Sequence, residues 1–140
     1  MTEPPAPQDG PGPPSTGSVT VPPPLTVAAS LAFVEAVLLV IQGVAELVAV
    51  SGERLVMGLT TSLFFVLYGA GLGACAWGMY RLKSVARAPV VVAQLIQVLV
   101  AWSFVGGSTT WVAVTLGVVA LVVLAGIFHP ASLEALEGEG

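Results

Sequence analysis

Four long apolar segments constrain this chain more than any other feature of its sequence. They run over about 25–50, 55–80, 89–106 and 110–128, and a helix that crosses a bilayer needs about 20 apolar residues. Because backbone polar groups cannot stay unpaired in lipid and four strands are too few to close a barrel, each segment is predicted to be a helix. The connections are short, which favours antiparallel neighbours. The predicted fold is an all-α membrane protein with an up-down-up-down bundle of four transmembrane helices over residues 25–128.

The composition excludes several function classes. Hydrophobic residues make up 56% of the chain and charged residues 9%, whereas an average soluble domain has about 25% charged residues. A soluble enzyme and a nucleic-acid binder are therefore disfavoured. The lone Cys75 and the single His129 exclude a disulfide framework within the chain and a zinc cluster of His and Cys. Because no nucleophile, phosphate-binding or metalloprotease motif is present, we predict no catalytic residue, metal or cofactor, and no enzymatic activity.

The two ends of the chain differ in composition from the apolar part. Residues 1–24 hold nine of the eleven prolines, and proline blocks the propagation of helix and sheet. We predict a disordered cytoplasmic tail rich in Pro, Gly, Ser and Thr, and its PxxP spacings leave a docking peptide open as an alternative. Residues 129–140 are predicted to form a short acidic cytoplasmic end, with one or two helical turns between Ala131 and Leu136.

Basic residues predict the orientation. The connection between the second and third spans holds Arg81, Lys83 and Arg87, whereas the connection after the first span holds only Arg54 and the residues 106–109 hold none. The positive-inside rule then places residues 81–88 and both chain termini in the cytoplasm. These three basic residues are too few for a lipid-binding basic cluster.

The first span carries a stripe of polar residues. Glu35, Gln42 and Glu46 are seven and four positions apart, so they lie on one face of a helix. A span that begins near Thr26 places Glu35 about 13 Å deep, close to the bilayer midplane. A charge at that depth is costly and no span offers a basic partner. We therefore expect Glu35 to be neutral and hydrogen-bonded, or to face a wet cavity.

The third span offers a partner for Glu35. Gln94 and Gln97 lie on adjacent parts of one face, and Gln97 reaches about the same depth as Glu35. We predict a hydrogen bond between Glu35 and Gln97, with Gln94 as the alternative partner, and Tyr68 of the second span also reaches the midplane. This polar group either holds the helices or subunits together, or forms a site for a ligand, an ion or a proton.

Small residues predict close helix packing. Gly69 and Gly73 on the second span have the GxxxG spacing that lets two helix backbones approach. The motif does not name its partner, so packing within the chain and homodimerisation both stay open.

Three stretches of the chain together resemble a known family. A proline-rich tail leads into PLTVAA at 24–29, the second span ends in YRLKSVARAP at 80–89, and the fourth ends in FHPAS at 128–132. Over residues 24–136 the chain resembles the uncharacterised small four-helix integral membrane proteins of actinobacteria. The resemblance implies this topology and a bacterial plasma membrane, and it implies no mechanism.

Two functions fit these features. The first is a non-enzymatic accessory or scaffold subunit of a larger membrane complex, in keeping with the small size, the tail and the small-residue helix faces. The alternative is an oligomeric transporter or a membrane protein that binds a small molecule or lipid at Glu35. The expected surroundings are the lipid bilayer and either a larger complex or further copies of the chain.

Overall fold

The computed structural model describes residues 20–138, together with Thr2, Gly10 and Gly12. Its helices are α1 Pro23–Val48, α2 Leu55–Tyr80, α3 Arg87–Ser103, α4 Thr110–Ile127 and α5 Pro130–Glu137. Short 3-10 turns, Gly52–Arg54 and Ser84–Ala86, precede α2 and α3. These described residues contain no strand, so for them the predicted all-α class is confirmed. Most of the predicted tail, residues 1–24, lies outside them.

Four stretches are long and apolar enough to cross a membrane: Pro23–Val48, Gly52–Tyr80, Ser84–Ser103 and Thr110–Ile127. They support a multi-pass membrane protein. α1 and α2 each have 26 residues, or about 39 Å of helix. Because this exceeds a hydrocarbon core of about 30 Å, these two helices are long enough to cross the core with a tilt or to extend into the headgroup regions.

Proline and glycine residues lie at the ends of α1 and α3. α1 begins at Pro23, inside the predicted tail, because prolines in the first turn cost no helical hydrogen bond. α3 is displaced toward the N-terminus relative to the predicted span 89–106, since Pro89 is tolerated in its first turn. The chain leaves α3 after Ser103 and turns at Gly106, whose φ of 100° favours glycine.

The four long helices form a bundle with one loosely closed side. α1 and α2 run antiparallel, because Gly43 meets Ser62 and Ala36 meets Gly69. α1 also packs along α4, and α3 packs along α4, whereas α2 and α3 touch each other much less. The side of the bundle between α2 and α3 is therefore the least tightly closed.

The tightly packed core lies at one end of the bundle, where α1 and α3 begin and α2 and α4 end. Its largest fully buried apolar side chains come from all five helices: Leu25, Met79, Val90, Ile127 and Leu136. Toward the other end the buried residues that the structure describes are small, namely Gly43, Ser62, Ala101 and Ala113. The protein is thus well packed at the end that carries the basic connection and looser at the opposite end.

The C-terminal helix α5 is docked on this core. Ser132 is fully buried, and its hydroxyl donates a hydrogen bond of 2.6 Å to the carbonyl of Gly126. That carbonyl would ordinarily accept from the backbone amide of residue 130, but Pro130 has none. Ser132 therefore satisfies a carbonyl at the end of α4 that the following proline leaves free.

His129 has a different structural role from the one its sequence position suggests. Its place at the end of the fourth span predicts an interaction with the last carbonyls of that helix. In the structure, Nδ1 of His129 instead accepts a hydrogen bond of 3.3 Å from the backbone amide of Ala131. His129 is the N-cap of α5, because the extended backbone before Pro130 starts a new helix.

Candidate functional site

Glu35 is the centre of a polar group that joins α1 to α3. Its carboxylate oxygens accept hydrogen bonds from the side-chain amides of Gln94, at 2.7 Å, and of Gln97, at 2.9 Å. The predicted bond to Gln97 is present, and the alternative bond to Gln94 is formed at the same time. One carboxylate thus binds two amides that lie one helical turn apart on α3.

The two glutamines differ in what else they do. The Gln97 amide donates a second bond, of 3.1 Å, to the carbonyl of Leu116, so this side chain links α1, α3 and α4. Gln94 is completely buried, and its Oε1 has no hydrogen-bond partner among the described residues. A buried acceptor without a partner is costly. The amide nitrogen of Gln94 thus gains a hydrogen bond to Glu35, while its carbonyl oxygen stays unpaired.

Beside this polar group is a cavity of about 640 Å³. Side chains of α1, α2 and α3 line it, and Leu116 of α4 closes one part of its wall. It occupies the loosely closed side between α2 and α3. From Leu72 and Ala93 it continues away from the packed end to Phe64 and Val100. The cavity therefore lies in the middle and the more open half of the bundle.

The wall of the cavity is mostly apolar. Aliphatic residues and the rings of Phe64, Phe65 and Tyr68 form most of it, and the polar groups are Glu35, Gln42, Gln97 and the Tyr68 hydroxyl. Phe64 and Tyr68 stack at 5.6 Å between ring centroids, with an interplanar angle of 10°. α2 thus contributes the aromatic part of the wall of the cavity that Glu35 of α1 also lines.

Charge in this cavity has one sign. Of the described residues that line it, Glu35 is the only one with an ionisable carboxyl group, and none is basic. All four basic residues lie at helix ends or in connections: Arg54, Arg81, Lys83 and Arg87. Within the described part of the chain, the Glu35 carboxylate therefore has amide partners and no ion-pair partner.

The other two members of the predicted stripe form a separate pair. The Gln42 amide donates a bond of 3.0 Å to Glu46 on the same helix. Gln42 still lines the large cavity, whereas Glu46 lines a smaller one, of about 270 Å³, with Arg54. Glu53 does not extend the stripe, since α1 ends at Val48 and Glu53 belongs to the 3-10 turn.

Gly69 and Gly73, the glycines of the predicted packing motif, differ in how closely α1 approaches them. A Cβ added at Gly69 would lie 2.8 Å from the carbonyl oxygen of Ala36, whereas one at Gly73 would be in ordinary contact, 3.4 Å from the Ala36 side chain. Gly69 therefore marks a close approach of α2 to α1, as Gly43 of α1 does at the Ser62 carbonyl oxygen, where an added Cβ would lie at 2.9 Å.

The small residues Ala28, Ala32 and Ala36 of α1, four positions apart and buried, serve two helices: Ala36 faces Gly69 and Gly73 of α2, and Ala28 faces Gly126 of α4. Their spacing is visible in the sequence and was not used to predict packing.

The basic connection has an aromatic neighbour. The Arg81 guanidinium lies 5.5 Å from the ring centroid of Trp77, which stacks with Tyr80 at 5.9 Å. Lys83 is exposed, and Arg87 begins α3. Aromatic and basic groups in this combination are typical of the interface between a membrane and water.

In comparisons with known proteins, no family model, curated protein or solved structure matched this chain. The resemblance to the actinobacterial membrane proteins stays a prediction.

Proposed function

We propose that this chain is a non-enzymatic, multi-pass protein of the bacterial plasma membrane that binds a small amphiphile in the cavity beside Glu35. Both termini and the 81–88 connection face the cytoplasm, in keeping with the basic residues there. Of the two functions that the sequence leaves open, this one has the stronger support from the geometry.

The observation that carries the proposal is the cavity itself. The cavity is a recess that opens at the side of the bundle between α2 and α3, next to the polar groups of Glu35 and Gln97. Its volume of about 640 Å³ lies within the range of about 300–1,000 Å³ that is typical of small-molecule sites.

The lining defines the kind of ligand. Leu38, Ile96 and Val100 favour an apolar body, and Glu35 with Gln97 offers polar contacts at one place in the wall. Because α2 and α3 close this side of the bundle only loosely, a molecule dissolved in the bilayer can reach the cavity from the side. These features favour an amphiphile over a water-soluble ligand.

The test uses a neutral amphiphile and a pair of tryptophan variants. Native mass spectrometry of the full chain in micelles measures how much 1-oleoylglycerol stays bound as the ligand is titrated. Ile96→Trp places an indole ring in the cavity and obstructs part of it, whereas Leu95→Trp is the matched control, because Leu95 is the adjacent residue of α3, is 52% exposed and does not line the cavity.

We expect saturable binding of one ligand to the unmodified chain and to Leu95→Trp, and at least fivefold weaker binding to Ile96→Trp. Equal binding to both variants, or binding that does not saturate, would overturn the proposal.

A second candidate function is the accessory subunit. The observation in its favour is an exposed small-residue face on α2, formed by Ala70, Gly71 and Ala74, which suits close packing of a partner helix. Extraction from the native membrane with a mild amphipathic polymer, followed by mass analysis, tests this function. A foreign subunit in stoichiometric amount supports it, and a chain that is extracted alone or only with its own copies contradicts it.

A further inference from the structure

We infer that the cavity selects lipophilic monocations, molecules with an apolar body and one positive charge that comes to lie against the Glu35 carboxylate. This inference rests on the proposed binding function and names the charge of the ligand, which the neutral test above leaves open.

The first reason is the unbalanced charge. Among the residues that the structure describes, Glu35 is the only ionisable carboxyl group in the cavity wall, and none of them places a basic side chain in that wall. An ionised carboxylate in a membrane interior is expensive unless a counter-charge accompanies it, which is also why the sequence predicts a neutral or hydrated Glu35 in the absence of a cation. Because the protein supplies only amides, a cationic ligand would provide the missing counter-charge, whereas an anionic ligand would add repulsion.

The second reason is the capacity of the carboxylate for further contacts. Each Glu35 oxygen accepts one amide hydrogen in the structure, and an ionised carboxylate has about four lone-pair sites. Acceptor capacity therefore remains for a bound cation while Gln94 and Gln97 hold the carboxylate in position. Glu35 is also partly exposed and lines the cavity, so the cation can reach it.

The third reason is the aromatic wall. Phe64, Phe65 and Tyr68 line the same cavity as Glu35, and aromatic faces attract cations, most strongly where water is excluded. Apolar walls, aromatic rings and one carboxylate together complement a charged group that carries apolar substituents. A free metal ion would find too few oxygen ligands here, since no group of three or more His, Cys, Asp or Glu residues occurs in the described part of the chain.

The experiment compares two probe ions of nearly the same shape and opposite charge. Tetraphenylphosphonium and tetraphenylborate are titrated by equilibrium dialysis into nanodiscs that contain the full chain, and empty nanodiscs give the correction for partition into lipid. We expect saturable binding of tetraphenylphosphonium that is at least tenfold tighter than any saturable binding of tetraphenylborate. This comparison needs no variant, so it does not depend on how a substitution affects folding.

Glu35→Gln then tests the role of the carboxylate, because it removes the charge and keeps the size. Glu46→Gln is the matched control, since Glu46 lies on the same helix and outside this cavity. We expect at least a tenfold loss of tetraphenylphosphonium affinity in Glu35→Gln and less than a twofold change in Glu46→Gln.

The outcomes separate this inference from the function on which it rests. Equal binding of the two ions, or an unchanged affinity in a folded Glu35→Gln variant, overturns the selectivity for cations. If 1-oleoylglycerol still distinguishes Ile96→Trp from Leu95→Trp, the binding function stands without that selectivity. If neither the ions nor the neutral amphiphile bind saturably, both proposals fail.

Discussion

Glu35 and Gln97 are 62 positions apart in the chain and are joined by a hydrogen bond of 2.9 Å between α1 and α3. Because the same Gln97 amide also donates to the carbonyl of Leu116, one side chain connects three helices at the edge of a cavity. The bond therefore fixes the position of Glu35 relative to the apolar walls, and it also ties together a part of the bundle that is otherwise loosely packed.

The three-helix link of Gln97 predicts a loss of stability in Gln97→Leu. The variant removes both side-chain hydrogen bonds, and because interhelical bonds in one membrane protein average about 0.6 kcal/mol, we expect a loss of about 1 kcal/mol. The measurement is reversible unfolding in mixed micelles with increasing dodecyl sulfate. In the control Gln42→Leu, which loses only a bond within α1, the loss should stay below about 0.5 kcal/mol.

A double-mutant cycle separates the Glu35–Gln97 contact from the bond to Leu116. Glu35→Leu, Gln97→Leu and the double variant are unfolded in the same way, and a coupling free energy of about 0.5 kcal/mol or more is expected for two residues in direct contact. Additive losses would show that the bond between Glu35 and Gln97 contributes no net stability.

The glycines of α2 predict opposite effects of the same substitution. Gly69→Ala places a methyl group 2.8 Å from the Ala36 carbonyl oxygen, so α1 and α2 must move apart, at a cost of about 1–3 kcal/mol. At Gly71 nothing lies within 4 Å of an added Cβ. Because alanine favours a helix over glycine by up to about 1 kcal/mol, Gly71→Ala should be neutral or slightly stabilising. The same unfolding assay measures both, and equal losses would contradict the assigned packing.

Helical geometry explains how the contact between Glu35 and Gln97 could be predicted from the sequence. A constant rise along each helix gives the depth of a residue once the ends of a span are known, and Glu35 and Gln97 come out at the same depth. The cavity could not be predicted in this way. It depends on how closely α2 approaches α3, and residue periodicity describes each helix face without fixing the distance between two helices.

The C-terminal end of the bundle shows a second limit of prediction from the sequence. The docked position of α5 depends on Pro130, which removes a donor, and on Ser132, which replaces it at Gly126. The local sequence pattern of residues 130–137 predicts a short solvated end. It does not reveal the bond between Ser132 and Gly126, because these residues lie on either side of the turn between α4 and α5. The orientation is predicted from the number of basic residues in each connection, and it stays a prediction.

The bond from Ser132 predicts that Ser132→Ala loosens α5. Without the hydroxyl, the Gly126 carbonyl loses the bond that replaces the missing donor of Pro130, and an unpaired buried group costs about 1–3 kcal/mol. We expect faster backbone hydrogen exchange in Pro130–Glu137, with α2 and α3 unchanged. Ser103→Ala is the control, because the exposed Ser103 hydroxyl bonds only within its own helix, and similar exchange in both variants would show that Ser132 does not hold α5.

The proposed orientation makes a prediction about two exposed serines at opposite ends of the bundle. In a Cys75→Ala background, Ser84→Cys reports on the basic connection and Ser108→Cys on the connection between α3 and α4. In intact cells, a membrane-impermeant maleimide should label the cysteine at 108 and not the one at 84, which should react only after the membrane is opened. Labelling of the cysteine at 84 in intact cells would reverse the orientation. Replacing Arg81, Lys83 and Arg87 with glutamine leaves Arg54, in the opposite connection, as the one remaining basic side chain, so in this triple variant labelling of the cysteine at 84 should appear in intact cells.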